Sequence, residues 1–343
     1  MPLEVSLDSI SQVEWEHCAR DFSDYSIYQT CAYQQVRGQI NGQQVRRLSI
    51  KGDDDEILSL CHIRIQSIKA VGLRIGYAQW GPLLRKKDGN SQNVIDVLIQ
   101  LRDVCFGLGI DVVRLTPNVV DDAASNEIKD ALEKSGFRKL LDVPAYHTTI
   151  LSLDCPDKVL REGLHQSWRR MLRKAEAAGV KCMEQTGQSP FQVLQRFHAS
   201  LVRKKGFEGV DPEVFSRAQA GLSESEKINT LAGYCDDEPV TVHATSNLGD
   251  SGVFLLSASS EKGYECRASY VAWWKAIIDA KNKGLRKYDT GGIDFEKAPG
   301  IARFKAGIGG EEKFYIGTFE AYANRRALAL WGVAKGLHRL IKK

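Results

Sequence analysis

Paired cysteines are absent from this 343-residue sequence, in which eight cysteines stand singly and none belongs to a Cys-x-x-Cys motif. Isolated thiols are typical of small buried side chains in a reducing compartment and argue against a disulfide framework or a zinc ribbon. The sequence also lacks an apolar run of the length that crosses a bilayer, and its first residues lack the basic start and apolar core of a signal peptide. We therefore expect a soluble, cytoplasmic protein.

The common nucleotide-binding and catalytic motifs are absent as well. The sequence contains no phosphate-binding Gly-x4-Gly-Lys-Ser/Thr, no Gly-x-Gly-x-x-Gly after a strand and no Gly-x-Ser-x-Gly. Its seven histidines form no His-Glu-x-x-His, so we expect no metal ion. No cofactor is expected either. The remaining chemistry includes direct transfer, in which an amine attacks an activated acyl group that is held beside it.

The composition is that of a folded protein with large cores, since 43% of the residues are hydrophobic and 26% are charged. The length suits two domains better than one. The net charge of +4 is mildly basic. It permits an acidic partner such as RNA, a nucleotide sugar or an anionic lipid, without requiring one.

A similar order of predicted elements occurs in both halves. Each half predicts antiparallel strands, an amphipathic helix that ends at glycine, a short strand and then an unusual loop. The two helices are predicted over Val94 to Phe106 and Ala268 to Lys283. This order indicates an α/β protein that contains a duplicated α+β unit with a mixed sheet. A substrate would bind between the two halves. A strand over Glu312 to Ala321 and a basic helix over Ala323 to Lys342 are predicted to end the chain.

A glycine-rich segment, DTGGIDFEKAPGIARFKAGIGG at 289–310, is the most unusual stretch of the sequence. Such a segment could cradle a phosphate, bend around a substrate or only turn a corner. A phosphate loop should open a helix, whereas a strand is predicted from Glu311 onward. Asp289 and Asp294 are interpreted as Asx-turn residues rather than as general bases.

Five stretches of this sequence resemble the Fem family of aminoacyl-tRNA-dependent peptidyltransferases, which build peptidoglycan interpeptide bridges. YDTGGID and PGIARFKAGIGG are similar to the C-terminal signature of that family, which is its most specific motif. IYQTCAYQQVRG, YAQWGPLL and WRRMLRKAEAAGV are similar to its N-terminal helix, its Gly-Pro strand end and its basic helix. The likeness extends over most of the chain.

The resemblance implies two tandem GNAT-like domains. The first would cover 1–148, bind the acceptor and be completed by the C-terminal segment 318–343. The second would cover 149–317 and carry the glycine-rich transfer loop. The implied activity is transfer of an amino acid from aminoacyl-tRNA to the amine of a peptidoglycan precursor or another small peptide. No metal and no covalent enzyme intermediate would take part. The coiled-coil arm of some members is absent, since the sequence has no heptad run.

The resemblance also assigns residues. Lys305 of the Arg-Phe-Lys step would lie beside the reacting ester, where it would stabilise the oxyanion or contact the end of the tRNA, unless it is merely a solvated loop lysine. Arg303 and Phe304 would contact substrate with it. Arg37, which stands where lysine is commoner, and Tyr77 would contact the acceptor, and Arg37 could bind a phosphate in a bidentate manner.

Three departures from the family pattern leave the acceptor open. Phe254 stands where a tyrosine is common, Leu83 and Leu84 replace an acidic residue, and the stretch 207–215 lacks the usual arginine before an aromatic. The acceptor could therefore be a natural-product amine. Two other functions stay open, namely an acyl-CoA-dependent GNAT N-acyltransferase and a non-catalytic protein that binds tRNA or the cell wall.

Two basic helices complete the analysis. Arg169, Arg170, Arg173 and Lys174 cluster on the first and would contact tRNA phosphates. The second is the last helix of the chain, which would contact tRNA or an anionic membrane surface through six basic residues, Arg325, Arg326, Lys335, Arg339, Lys342 and Lys343. A solvated helix face is the alternative for both.

Overall fold

The computed structural model of the chain describes residues 3–52, 55–89, 93–185, 187–205 and 211–341. The described strands are, in chain order, β1 (Glu4–Leu7), β2 (Gln44–Lys51), β3 (Ile57–Ile68), β4 (Leu73–Gln79), β5 (Val112–Thr116), β6 (Arg138–Lys139), β7 (His147–Ser152), β8 (Lys181–Gln185), β9 (Asn229–Cys235), β10 (Glu238–Leu248), β11 (Ser251–Ser259), β12 (Lys287–Asp289), β13 (Glu311–Phe314) and β14 (Phe319–Tyr322).

The described α-helices are α1 (Gln12–Ala19), α2 (Cys31–Asn41), α3 (Val94–Gly107), α4 (Asn126–Lys134), α5 (Asp157–Gly163), α6 (Gln166–Ala177), α7 (Ser189–Lys205), α8 (Pro212–Gly221), α9 (Glu261–Glu265), α10 (Ala268–Asn282), α11 (Pro299–Ala306) and α12 (Arg325–Ile341). Short 3-10 helices cover Ile27–Gln29 and Ala123–Ser125. None of the helices in the described ranges is both long and apolar enough to cross a membrane.

The chain divides into two compact units. The first contains Met1–Tyr146 together with Phe314–Lys343, and the second contains His147–Lys313. Each unit is built on a mixed seven-stranded sheet, with the order β1-β2-β3-β4-β5-β14-β6 in the first and β8-β9-β10-β11-β12-β7-β13 in the second. The expected mixed α/β fold with two sheets is therefore confirmed.

The two sheets share a similar arrangement of strands. Near the centre of each lies a parallel pair, β4 with β5 in the first sheet and β11 with β12 in the second. A helix connects the strands of each pair, α3 in the first unit and α10 in the second. The next strand on that side is antiparallel, and it is β14 in the first sheet and β7 in the second.

Both connecting helices bury the apolar face that their periodicity predicts. On α3 the buried side chains recur at helical spacing and join the core of the first unit: Val94, Val97, Leu98, Leu101 and Cys105. On α10, Trp273 and Ile277 are buried in the core of the second unit, whereas Tyr270, Trp274 and Ile278 are only partly buried against it. Burial of apolar side chains on this scale supplies most of the driving force for folding.

Two sequence predictions of local structure were wrong. The strand predicted over Glu312 to Ala321 is two strands, β13 and β14, which belong to different sheets. Gly317, at φ +95°, adopts the left-handed conformation between them. The glycine-rich segment was predicted to be a loop, but it contains α11, which begins at Pro299 in the first turn, where proline is well tolerated.

Candidate functional site

In the second unit, the parallel strands β11 and β12 stay paired over only three residues on each strand. The last pair is Val253 with Asp289. Beyond it β11 continues to Ser259, while the chain after β12 turns toward β7, where the Thr290 amide donates to the Thr149 carbonyl at 3.0 Å. The parallel pair of the first unit is longer and extends over five residues. The strands of the second sheet therefore part where the glycine-rich segment begins.

Lys305 lies at this point, in the last turn of α11. It is only 5% exposed, so the alternative of a solvated loop lysine is wrong. Its Nζ donates to the Gly292 carbonyl at 2.9 Å and lies 4.8 Å from the centre of the Phe254 ring. A carbonyl and an aromatic face hold the ammonium without neutralising it. Burial lowers the pKa of Lys305 to about 8, and the carboxylate of Asp289 acts in the opposite direction.

Gly291 allows the segment to approach this lysine. Its φ of +79° is in the left-handed region, and a Cβ built there would lie 2.8 Å from Cδ1 of Phe254 and 3.1 Å from Nζ of Lys305. Both the conformation and the space require glycine. The close packing against Phe254 and Lys305 therefore explains why the first residue of the Gly-Gly step, Gly291, is a glycine.

The buried carboxylate of Asp289 organises the turn that follows β12. Its Oδ1 accepts from the Gly291 amide at 2.8 Å and from the Thr148 hydroxyl. Asp294 accepts from the amides of Glu296 and Lys297 at 3.0 and 2.8 Å. The Asx-turn interpretation of both aspartates is confirmed. Asp289 has an additional effect, since it raises the pKa of Lys305.

A cluster of aromatic side chains packs on Phe254, the ring that contacts Lys305. Phe254 stacks on Trp273 with ring centroids 4.4 Å apart, and His243 lies 4.8 Å from Trp273. The Nε2 atom of His243 is 3.0 Å from the Tyr288 hydroxyl. Burial, followed by the charge of Lys305, lowers the pKa of His243 to about 3, so this imidazole is neutral near pH 7.

Arg303 and Phe304, the other members of the Arg-Phe-Lys step, have different surroundings. Phe304 packs among the rings of Trp168, Tyr270 and Trp273 at centroid distances of 5.7, 5.0 and 5.8 Å. It therefore anchors α11 to the core and fixes the position of the next residue, Lys305. Arg303 is exposed on the same helix. A substrate contact by either residue stays a prediction.

Arg37 and Tyr77, the predicted acceptor contacts, belong to the first unit, and the structure brings both next to one buried arginine. Tyr77 on β4 is half-buried, and the guanidinium of Arg64 lies 5.3 Å from its ring centre. Arg37 on α2 is half-buried. Its charge lowers the pKa of Arg64, although burial is the larger cause. Lys305 and its neighbours belong to the second unit.

The four basic residues predicted to contact tRNA lie on α6, where Arg170, Arg173 and Lys174 are exposed. Arg169 is half-buried, and its Nη1 donates to the Glu162 carbonyl at 3.0 Å. A surface cleft of about 300 Å³ is lined by Lys158, Arg161, Glu162, Arg169 and Arg173. Arg161 is paired with Glu176 and Lys158 with Glu162, so Arg169 and Arg173 supply the excess positive charge that would suit this face to phosphate groups.

The predicted basic helix at the end of the chain is α12. Lys335 is 3.5 Å from the buried carboxylate of Glu320, which also accepts from the Trp331 indole at 3.0 Å. This lysine therefore forms an ion pair within the first unit. The expected membrane contact of the helix is not supported. Arg325 and Arg326 are exposed. The remaining basic positions, the side chain of Arg339 and all of Lys342 and Lys343, lie outside the described residues, as do 207–210 of the stretch 207–215.

Sequence reasoning missed several residues of the site around Lys305. Phe254 was noted only as a departure from the family pattern, and Thr148, His243 and Tyr288 were not singled out. Their signal is weak because each lies on a different strand and only the sheet brings them together. Among the described residues, no group of three or more His, Cys, Asp and Glu side chains could hold a metal ion.

Comparison with known proteins agrees with this geometry. The model of the FemAB family matches residues 229–335, which include β11, β12 and α11. The solved structure of FemX is similar over 98% of this chain and 100% of its own length, with 14% sequence identity and a TM-score of 0.81. No curated protein matches the sequence significantly.

Two other solved structures are similar at lower TM-scores. A conserved protein of unknown function from Bacteroides thetaiotaomicron has 10% identity, a TM-score of 0.62 and coverage of 93% of this chain and 99% of its own. L-PGS from Bacillus licheniformis has 11% identity, a TM-score of 0.55 and coverage of 95% and 96%. The family model thus matches the segment that carries Lys305, and the fold of nearly the whole chain is similar to that of FemX.

Proposed function

We propose that this protein is an aminoacyltransferase that moves an amino acid from aminoacyl-tRNA to an amine acceptor. The observation that carries the proposal is Lys305, a buried ammonium that lies where β11 and β12 part and that forms no ion pair with a carboxylate of the described residues. A cation held in this manner stabilises negative charge that develops beside it more strongly than a hydrated lysine could. The family and the fold support a transferase in general.

In the proposed reaction, the acceptor amine attacks the carbonyl carbon of the aminoacyl ester. A carbon–nitrogen bond forms, and the carbonyl oxygen becomes an oxyanion that the ammonium of Lys305 stabilises. Collapse of this intermediate breaks the bond to the ribose oxygen. The proton that the amine loses ends on that ribose hydroxyl, so the products are an amide and free tRNA.

The other parts of the proposal follow from charge and position. The basic cleft beside α6, with Arg169 and Arg173, would contact tRNA phosphates. Arg37 and Tyr77 of the first unit would contact the acceptor, which is a peptidoglycan precursor peptide or another small peptide amine. Arg303 and Phe304 would contact substrate next to Lys305.

The experiment follows labelled amino acids from a pool of charged tRNAs into ribonuclease-resistant products in the presence of extract amines. Lys305→Ala should reduce turnover by about 100-fold or more, the usual effect of removing one oxyanion donor. The matched control is Lys297→Ala, because Lys297 lies in the same segment but its side chain is 87% exposed. The control should transfer label normally, and equal turnover in both variants would remove Lys305 from the mechanism.

A second arm distinguishes the alternative functions. The same protein is incubated with labelled acetyl-CoA and the same amines. In α10, the N-cap residue Arg267 follows the short helix α9 instead of a glycine-rich pyrophosphate loop. We therefore expect no transfer from acetyl-CoA. Transfer from acetyl-CoA alone would identify a GNAT N-acyltransferase, and tRNA binding without any transfer would identify a non-catalytic protein.

A further inference from the structure

Two cysteines that stand far apart in the sequence meet in the second unit. Cys235 is the last residue of β9, and Cys266 caps the short helix α9. Both side chains are half-buried thiols, and both pack on one small apolar cluster that contains Val180, Val240 and Ala268. The Cys266 thiol is hydrogen-bonded to Cys235. The fold therefore places two reduced sulfur atoms side by side near the surface.

The strand register accounts for this approach. Gly233 lies two residues before Cys235 on β9, so both positions belong to the same face of the sheet. A Cβ built at Gly233 would lie 3.7 Å from the Cβ of Ala268, the first residue of α10. The start of α10 thus rests on the face of β9 that carries Cys235. Cys266 comes two residues before this start, so it lies at the end of the same strand.

Contacts outside the thiols hold the two segments together. Gly263 of α9 packs so closely on β10 that a Cβ there would lie 2.2 Å from a carbonyl oxygen of that strand. Lys262 of α9 pairs with Asp236 at 3.1 Å and with Glu238 at 3.5 Å, and both acids lie at the turn between β9 and β10. These contacts keep α9 against the hairpin, so the two cysteines stay neighbours in the folded protein.

We propose that Cys235 and Cys266 are a redox modification site, at which a low-molecular-weight disulfide converts the two thiols into a reversible protein disulfide. The bond ties the β9–β10 hairpin to the link between α9 and α10. Trp273 of α10 stacks on Phe254, the ring beside Lys305, so the cross-link restrains the helix that supports the lysine site. The modification site does not rest on the proposed function.

The two thiols have different roles in this exchange. Burial raises the pKa of Cys266, and its hydrogen bond with Cys235 acts in the same direction. Cys266 therefore keeps its proton, and a hydrogen bond donated to a neighbouring sulfur stabilises the thiolate form of that sulfur. Cys235 is thus the attacking thiolate, and Cys266 is the thiol that reacts second.

The reaction is a balanced thiol–disulfide exchange. The Cys235 thiolate attacks one sulfur of the small disulfide, whose own sulfur–sulfur bond breaks, and one small thiol leaves with the proton that Cys235 has lost. Cys266 then attacks the Cys235 sulfur, loses its proton and releases the second small thiol. Two electrons pass from the protein thiols to one small disulfide, which becomes two thiols.

The test equilibrates the folded full chain in mixtures of cysteamine and its disulfide, cystamine. Both are cationic at pH 8, so the acids at the turn beside Cys235 do not repel them. Rapid alkylation and mass spectrometry then count the free thiols and identify the joined peptides. We expect a disulfide between Cys235 and Cys266 whose fraction rises with the ratio of cystamine to the square of cysteamine. Dithiothreitol should reverse it without denaturant.

The cross-link should also raise the thermal unfolding midpoint by roughly 5–10 °C, because it restricts the unfolded chain. Cys235→Ser and Cys266→Ser should each abolish the protein disulfide and this rise. The matched control is Cys182→Ser, since Cys182 lies opposite Gly233 on the face of the sheet that carries Cys235. This control should form the disulfide as the parent does.

Three results would overturn the proposal. They are thiols that all stay free at the highest ratio of cystamine, a Cys235 that joins only to cysteamine or to Cys182, and a disulfide that forms or is reduced only in denaturant. The joined peptides are identified in the parent protein itself, so a serine variant that does not fold leaves the test decisive. A protein that forms this disulfide but transfers no amino acid would support the site and contradict the proposed function.

Discussion

Gly291 and Lys305 lie so close together in the second unit that a Cβ at Gly291 would be 3.1 Å from the lysine Nζ. The glycine is at φ +79°, and the same Cβ would lie 2.8 Å from Cδ1 of Phe254. The backbone of the glycine-rich segment thus forms one side of the lysine site. The addition of one methyl group at Gly291 should therefore alter the site although Lys305 itself is not substituted.

We expect Gly291→Ala to lower the transfer rate at least tenfold and to destabilise the fold by about 1–3 kcal/mol, because alanine is strained at this φ and its methyl group displaces Lys305 or Phe254. The rate and the free energy of unfolding are measured together. Gly300→Ala is the matched control in the same segment, since nothing lies within 4 Å of its added methyl group. Normal transfer by Gly291→Ala would show that the contact does not position Lys305.

Lys305→Met should make the folded protein more stable at pH 7, by about 2 kcal/mol, because it removes a buried charge that costs more than its one hydrogen bond returns. The folded-state pKa of about 8 lies below the ordinary value of 10.5. The unfolded chain therefore binds more protons between these values. Burial of the charged lysine therefore lowers the free energy of unfolding by its full amount below pH 8, and this effect disappears as the pH rises through 10.5.

The measurement compares chemical unfolding of Lys305→Met and the parent at pH 7 and pH 9.5. The difference in unfolding free energy between the two proteins should be smaller at pH 9.5 than at pH 7. A gap that is independent of pH, or a variant less stable than the parent at pH 7, would contradict the assigned burial of the charge.

The transfer rate should fall as the pH rises through about 8, since the cationic form of Lys305 is the one that stabilises an oxyanion. Asp289→Asn should move this fall to a lower pH, because the carboxylate of Asp289 raises the pKa of Lys305. The acceptor amine titrates identically with both proteins, so the displacement between the two profiles is the readout. Asp294→Asn keeps an Asx-turn oxygen and should leave the profile unchanged. Superimposable profiles for Asp289→Asn and the parent would show that Asp289 does not raise the pKa of Lys305.

Acid should destabilise the protein through two buried histidines. Burial lowers the pKa of His62 and of His243 to about 3, below the ordinary value of 6.5. Stability that is complete above pH 6.5 is therefore lost as the pH falls toward 3, with a cost of about 2 kcal/mol for each histidine at pH 5. His62→Gln and His243→Gln should each flatten the curve of unfolding free energy against pH. His17→Gln, at an exposed position, should not, and parallel curves for all three variants would contradict the assignment.

The sequence by itself determined the periodic elements and the position of the glycine-rich segment. The helices α3 and α10 follow from their 3.6-residue apolar pattern, because one face of each must be buried whatever it packs against. The Asx turns at Asp289 and Asp294 involve only neighbouring residues, so they also follow from local chemistry. The signature around Lys305 is contiguous and could be recognised directly.

Tertiary structure decided the properties that depend on residues far apart in the chain. Lys305 has a lowered pKa because folding buries it, with Phe254 of β11 and the Gly292 carbonyl among its neighbours. Arg64 looks like an ordinary strand arginine in the sequence, and only the folded sheet shows that Arg114 donates to the carboxylate of Glu320 whereas Arg64 donates to the amide oxygens of Gln34 and Gln79. Burial and pairing of charge depend on long-range packing, which no local pattern encodes.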